Sequence, residues 1–230
     1  MKLSASADRR FAEHALYLAQ DEPGLKLGID VEGARASING TFRVPVGSGR
    51  TQDFSIEIRY VGLSPFKLPS TRDPSGRFPP DVDRHVTTDG WFCMWLPQTA
   101  PTDFDTADGL ALHLDRVREF ILLQLMYEDR LRRGRAPAWP GPAWGHGDEG
   151  HREWVRAQTT GLAAQAVAGL ANAAVNRRHP GSRCPCGSGR SFGRCHAGWV
   201  AVMRRALRIS EAVYEELKAI VEEGDAKPAA

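Results

Sequence analysis

Three of the four cysteines in this chain, Cys184, Cys186 and Cys195, fall within twelve positions of one another, and His196 follows the third directly. Three thiolates and one imidazole are the donors of a closed tetrahedral zinc site, which keeps no coordination position open for catalysis. The spacing therefore predicts one structural Zn2+ held by Cys184, Cys186, Cys195 and His196. Gly187 and Gly189 give the backbone the freedom to fold the second pair of ligands onto the first. Buried thiols in a small helical domain are the competing reading, and the ligand number argues against it. Four cysteines in 230 residues are also too sparse for a disulfide scaffold.

The run Cys184-Pro185-Cys186-Gly187-Ser188-Gly189, then five further residues and Cys195-His196, resembles the SEC-C motif. That motif is a short zinc-binding element found at the end of a translocase ATPase and in many bacterial proteins. The resemblance implies an attached metal-binding module used for partner binding. Five arginines surround it: Arg177, Arg178, Arg183, Arg190 and Arg194. They could meet nucleic-acid phosphates or an acidic partner surface. Equally, they could solvate an exposed knuckle. With Phe192 the sole aromatic there to stack on bases, nucleic acid is possible but not favoured.

Cys93 stands apart, ninety-one residues before the zinc ligands, in His85-Val86-Thr87-Thr88-Asp89-Gly90-Trp91-Phe92-Cys93. A lone cysteine among Trp91, Phe92 and Trp95 reads equally well as a buried structural thiol. Order along the chain points elsewhere. A helix, a meander of strands, a Pro-rich loop, then His, Asp-Gly and Cys, then an amphipathic helix, resembles the ubiquitin-conjugating (UBC) fold over residues 5–133. Carrying the resemblance are Ile38-Asn39-Gly40-Thr41-Phe42, Phe54 to Tyr60, Ser64-Pro65-Phe66 to Pro69, Phe78-Pro79-Pro80, Asp83-Arg84-His85-Val86 and Asp89-Gly90-Trp91-Phe92-Cys93. His85 lies eight residues before the cysteine, where the eukaryotic enzymes place the asparagine of their His-Pro-Asn tripeptide. That asparagine is absent.

The resemblance implies a bacterial conjugating enzyme of the kind found with activating enzymes, ubiquitin-like proteins and peptidases, including in antiphage operons. Cys93 would accept the C-terminus of a ubiquitin-like protein from an activating enzyme and pass it to an acceptor amine. Cys93, His85 and Asp89 are the candidate catalytic residues. His85 could assist the thiol, or hold the loop through structural hydrogen bonds. Asp89 could orient an incoming lysine, or only set the turn with Gly90. Thr87 and Thr88 are further candidate oxyanion donors, and Asp103 and Asp105 further carboxylates. Two other readings stand beside this one: a catalytically inactive UBC-fold adaptor, and a zinc-dependent nucleic-acid-associated protein.

The elements that must position these residues follow from periodicity. Residues 5–20 carry Phe11, Ala15, Leu16 and Leu18 at helical spacing. Residues 25–31, 34–46 and 52–61 read as strands of an antiparallel meander, with a Gly47-Ser48-Gly49 turn and Phe54, Ile56, Ile58 and Tyr60 on one face. Residues 62–101 are rich in Pro and Gly and predict a long irregular path over the sheet. Residues 105–133 form the clearest helix, with Leu110, Leu112, Leu114, Val117, Ile121, Leu122, Leu125 and Met126 facing the core. This predicts an α+β domain over 1–134 and a Pro/Trp/Gly linker over 135–148. A helical region follows over 149–230, with long helices at 149–176 and 199–223 around the zinc motif at 177–198. His146, Asp148, Glu149 and His151 could bind a metal or form a lid over Cys93, although their spacing fits no named motif. An exposed loop is the plainer reading there.

Composition excludes several classes. With 42% hydrophobic and 25% charged residues and a formal net charge of +2, the chain is neither disordered nor strongly basic. No apolar run approaches the ~20 residues of a membrane span, and the first twenty residues lack a secretory h-region, so a cytoplasmic location without membrane contact is expected. No Gly-rich phosphate loop follows a strand, so no nucleotide cofactor is implied.

Overall fold

The computed structural model describes residues 6–29, 36–60, 69–96, 98–100, 106–142 and 144–225. It has an α+β architecture. Among the described residues it contains one four-stranded antiparallel sheet and seven α-helices. The chain divides into two compact units: residues 1–95 with 100–142, and residues 96–99 with 143–230.

The first unit opens with α1 (Ser6–Asp21), whose Phe11, Ala15 and Leu18 are buried. Strands β1 (Leu25–Ile29), β2 (Ala36–Pro45), β3 (Thr51–Tyr60) and β4 (Pro69–Arg72) follow as a meander in the order β1-β2-β3-β4. The period-2 alternation fixes the register, with Ile38 opposite Ile58, Gly40 opposite Ile56 and Phe42 opposite Phe54. Those apolar side chains share the core with α1 and with α2 (Ala107–Arg132). At Gly40 a side chain is excluded: a Cβ would lie 2.1 Å from the Gly24 carbonyl oxygen, at a φ of +146°.

Helix α2 begins at a Thr106 cap whose Oγ1 accepts from the Gly109 amide at 3.0 Å. Leu110, Leu114, Val117 and Ile121 are buried as expected, whereas Leu112 and Met126 are exposed. Phe120, Tyr127, His113 and Gln124 take up the interior instead. The apolar stripe is thus interrupted by two polar side chains, His113 and Gln124, which answer Thr71 and Arg84. β4 and a 3-10 turn at Val82–Arg84 also replace the purely irregular path expected over 62–101. With only four residues and no apolar alternation, β4 is created by pairing with Glu57 to Tyr60.

In the second unit, α3 (Asp148–Thr159) and α4 (Ala164–Val175) stand where one helix over 149–176 was expected. Gly161, at φ +80°, breaks it. Likewise the C-terminal helix is two, α6 (Ala197–Ile209) and α7 (Glu211–Asp225), preceded by the short α5 (Phe192–Cys195). Ser210 makes that break by accepting from the Ala212 amide at 3.2 Å while donating to Asp148 Oδ1 at 3.0 Å. Trp154, Val167, Leu170, Phe192, Met203, Val213 and Leu217 build this unit's own core. Among the described residues no helix is long and apolar enough to cross a membrane.

Candidate metal centre and cysteine loop

The zinc ligands are positioned by a knuckle that closes on itself. Arg183 and Ser191 form an antiparallel bridge. The Cys184 amide donates to the Arg190 carbonyl at 2.8 Å, and the Phe192 amide to the Ser182 carbonyl at 2.7 Å. Gly187 and Gly189, at φ +80° and +73°, make the turn between. Phe192 plugs the knuckle into the core, and Pro185 rests on α4, where a Cβ on Gly169 would come within 2.7 Å of it. Cys195 ends α5 and His196 joins α5 to α6.

This brings the four expected ligands together, with one donor atom from each lying within 4.8 Å of all the others. Cys186 Sγ is 3.6 Å from Cys195 Sγ, and His196 Nδ1 lies 3.3 Å from Cys184 Sγ and 3.2 Å from Cys195 Sγ. A tetrahedral ion with Zn–S near 2.3 Å and Zn–N near 2.0 Å requires S···S of roughly 3.8 Å and S···N of roughly 3.6 Å. Those three separations lie within about 0.4 Å of that geometry and no pair of donors is further apart than 4.8 Å, so these residues fit a zinc ion.

The thiols also differ electrostatically. Burial pushes Cys184 up to about 11, while hydrogen bonds from the Ser188 hydroxyl and amide hold Cys186 down to about 6. Ser188 Oγ lies 3.2 Å from Cys186 Sγ and 3.3 Å from Cys195 Sγ, so it bridges two ligands and sets their orientation. Sequence reasoning assigned Ser188 no role, although its place inside the Cys-Gly-Ser-Gly run was the available signal.

Cys93 sits on a second small construction. The Asp81 amide and carbonyl exchange hydrogen bonds of 3.0 Å with those of Val86, around a 3-10 turn in which Asp81 Oδ1 accepts from the Asp83 amide at 2.9 Å. His85 then adopts a left-handed φ of 56°, and its carbonyl accepts from the Cys93 amide at 2.7 Å. Bridges Val86 to Phe92 and Arg72 to Trp91 fasten this hairpin to β4. Burial alternates along it, with Phe92 and Met94 buried and Trp91, Cys93 and Trp95 half-buried. Burial raises the Cys93 thiol above its ordinary value.

Arg84 locks the hairpin from below. Its Nε donates to Gln124 Oε1 at 2.9 Å, and its carbonyl accepts from Gln124 Nε2 at 2.6 Å. Its Nη2 reaches Glu128 at 3.1 Å, and its guanidinium stacks over Tyr127. His85 and Cys93 are therefore joined through backbone, and the His85 ring faces Trp139 at 4.8 Å between centroids. Trp139 also packs on Phe120, and a Cβ on Gly141 would strike Leu123 at 2.7 Å. The start of the expected linker is thus laid on α2.

Asp89 lies exposed at the hairpin tip, before Gly90 at φ +80°. Thr87 builds that turn, since its Oγ1 accepts from the Trp91 amide at 3.0 Å. Thr88 is exposed at the same tip. Asp103, Asp105 and the Pro-rich residues 64–68 lie outside the described residues. Around 144–151, His151 is buried and Asp148 is engaged by Ser210, so these residues do not assemble into a metal-holding group among the described residues.

Residues 182–198 match the SEC-C motif. No curated protein and no solved structure matches the chain. The SEC-C segment contains Cys184, Cys186, Cys195 and His196 together with Ser188 and the two turn glycines, so the matched stretch and the ligand cluster coincide.

Proposed function

We propose that Cys93 carries the C-terminus of a ubiquitin-like protein as a thioester and passes it to an acceptor, while the SEC-C knuckle, closed by one structural Zn2+, serves partner binding. The observation that carries this reading is the Cys93 hairpin, fastened between the edge strand of a four-stranded meander and the long α2. The order of elements also resembles that of the conjugating enzymes and supports this reading. Zinc, when bound, supplies a cross-link that closes the knuckle.

The chemistry balances without a cofactor. The Cys93 sulfur attacks the thioester carbonyl presented by an activating enzyme. A new S–C bond forms, the old one breaks, and the departing thiolate takes the proton Cys93 gives up. An acceptor amine then attacks the same carbonyl, forming the amide and returning the proton to Cys93. A raised thiol pKa makes Cys93 a poorer leaving group, which lengthens the life of a thioester held there. His85 holds the hairpin through its carbonyl, a positioning role.

One observation favours a second reading, that of an inactive adaptor: the thiol is half-buried and its pKa is raised, both of which slow attack. A single experiment separates the two. The zinc-loaded chain is incubated at pH 7.5 with a short peptide thioester ending in glycine, then analysed by mass spectrometry under acidic, non-reducing conditions. A hydroxylamine-labile adduct on Cys93, lost in Cys93→Ala, supports the carrier. Acylation of Cys93 only after denaturation moves the conclusion to the adaptor.

A further inference from the structure

The arginines of the knuckle have no local counter-charge. Between residues 154 and 210 the chain contains nine arginines and neither an acid nor a lysine. Four acids of the second unit are engaged elsewhere: Glu216 and Glu223 with Arg156, Glu149 with Arg152, and Glu222 with Lys218. Arg204 is used internally, donating to the carbonyls of Ala173 and Ala174 at the end of α4. Arg177, Arg178, Arg183, Arg190 and Arg194 are all exposed, and among the described residues none of them meets a carboxylate.

The backbone brings the short segments that carry these five close together. Arg178 Nη2 donates to the Arg183 carbonyl at 2.8 Å. The Arg190 carbonyl accepts from Cys184, beside Arg183, and the amide of Gly193, next to Arg194, donates to the Pro180 carbonyl at 2.8 Å. A loaded site of Zn2+ and three thiolates has a formal charge of about −1. Five guanidiniums far outweigh it.

We propose that this arginine rim is a docking surface for the phosphodiester backbone of nucleic acid, read by charge and not by base sequence. What the rim lacks narrows the partner. Phe192 is buried, and Trp199, beside His196, is half-buried with its indole Nε1 donating to the Gln158 carbonyl at 3.3 Å, so the rim lacks a free apolar anchor of the kind that dominates protein–protein interfaces. For the same reason it has no aromatic platform for unstacked bases. Helix α5 has four residues, too few to lie in a groove and read base edges. A surface of that kind gains most from the densest polyanion. Duplex DNA presents one charge per ~1.7 Å with condensed counterions to release, while an acidic peptide offers at most one per ~3.4 Å and no such release.

The test is a fluorescence-anisotropy titration of the zinc-loaded full chain with labelled 20-base-pair duplexes of two unrelated sequences, between 50 and 200 mM NaCl. Five phosphate contacts predict a slope of log K against log salt of up to about −4.5, or roughly 500-fold weaker binding across that range, equal for both sequences. Arg190→Ala combined with Arg194→Ala should flatten the slope by about 1.8 while zinc content stays at one ion. Cys93 is not one of the rim arginines, so Cys93→Ala should bind as the wild type does, and this result stands or falls separately from the thioester reading. The proposal is overturned by absence of binding at 50 mM salt, by a strong preference between the sequences, or by an unchanged slope in the double variant. A labelled 20-residue polyglutamate that binds as tightly as the duplex also overturns it, in favour of an acidic peptide.

Discussion

His113 is fully buried in α2, where its Nε2 lies 2.7 Å from the hydroxyl of Thr71, itself buried on β4. Burial disfavours the imidazolium and lowers the ring from an ordinary 6.5 to about 3. Because the folded value lies below the unfolded one, the neutral ring's contribution to stability is complete above about pH 6.5 and is lost as pH falls toward 3. At about 1.4 kcal/mol per pH unit, roughly 2 kcal/mol disappears between pH 7 and pH 5, within a ceiling of about 5 kcal/mol. The Thr71 carbonyl accepts from the Phe92 amide at 2.8 Å, so acid weakens the strand to which the Cys93 hairpin is fastened. Urea unfolding of the wild type and of His113→Gln at pH 7, 6 and 5 measures this. The glutamine stays neutral throughout, so subtracting its curve removes the acid response of the zinc thiolates and of His151. The wild type should lose about 2 kcal/mol more than the variant over that range. Parallel curves, or a His113 ring proton titrating near pH 6.5, would refute the reasoning.

Three more outcomes follow from the same contacts. Stripping zinc with a chelator at pH 7 should lower hydrogen-exchange protection across residues 182–198 and leave that of β2, β3 and α2 in place. Gln124→Leu removes both hydrogen bonds to Arg84 in a site with no access to water, and should cost about 3 kcal/mol in chemical denaturation. It should also speed exchange at the Cys93 amide, because Arg84 is the fixed end of that hairpin. Trp139→Ala uncovers the His85 ring and part of Phe120, and a half-buried indole should cost about 2 kcal/mol by the same measurement.

What was legible in the sequence was whatever a short window specifies. Cys184, Cys186, Cys195 and His196 declare a metal site because donor type and number suffice, and the fold brings them together. Alternation at Phe54, Ile56 and Ile58 and the helical spacing of Leu110, Leu114, Val117 and Ile121 likewise point to the core without outside help. Partnerships across long separations were not legible. Gln124 and Arg84 are forty residues apart, and a buried glutamine in a helix looks like any polar position until the loop beneath supplies its partner. His113 and Thr71, forty-two apart, pose the same difficulty. Pro69–Arg72 carries no strand signal of its own and becomes a strand through the partner it meets. The helix breaks at Gly161 and Ser210 left local marks, a Thr-Thr-Gly step and a capping serine, which the surrounding apolar periodicity outweighed.

The four cysteines carry one chemical group into two environments, and that difference makes a final prediction. Zinc coordination holds Cys184, Cys186 and Cys195 as bound thiolates, closed to alkylating agents, so in the loaded protein Cys93 is the thiol left to react. It should do so slowly, since half-burial keeps it protonated at neutral pH. Without the ion the order inverts. Cys186, held down to about 6 by Ser188, is then mostly thiolate at pH 7, whereas buried Cys184, pushed up to about 11, remains a thiol. Pulsed alkylation with peptide mapping should therefore label Cys93 first in the loaded chain and Cys186 first after chelation. Ser188→Ala, by removing the hydroxyl that stabilises the thiolate, should slow Cys186 in the stripped protein without changing the rate at Cys93. If Cys186 outpaces Cys93 while zinc is still bound, the knuckle is not closed and the structural role assigned to the ion fails.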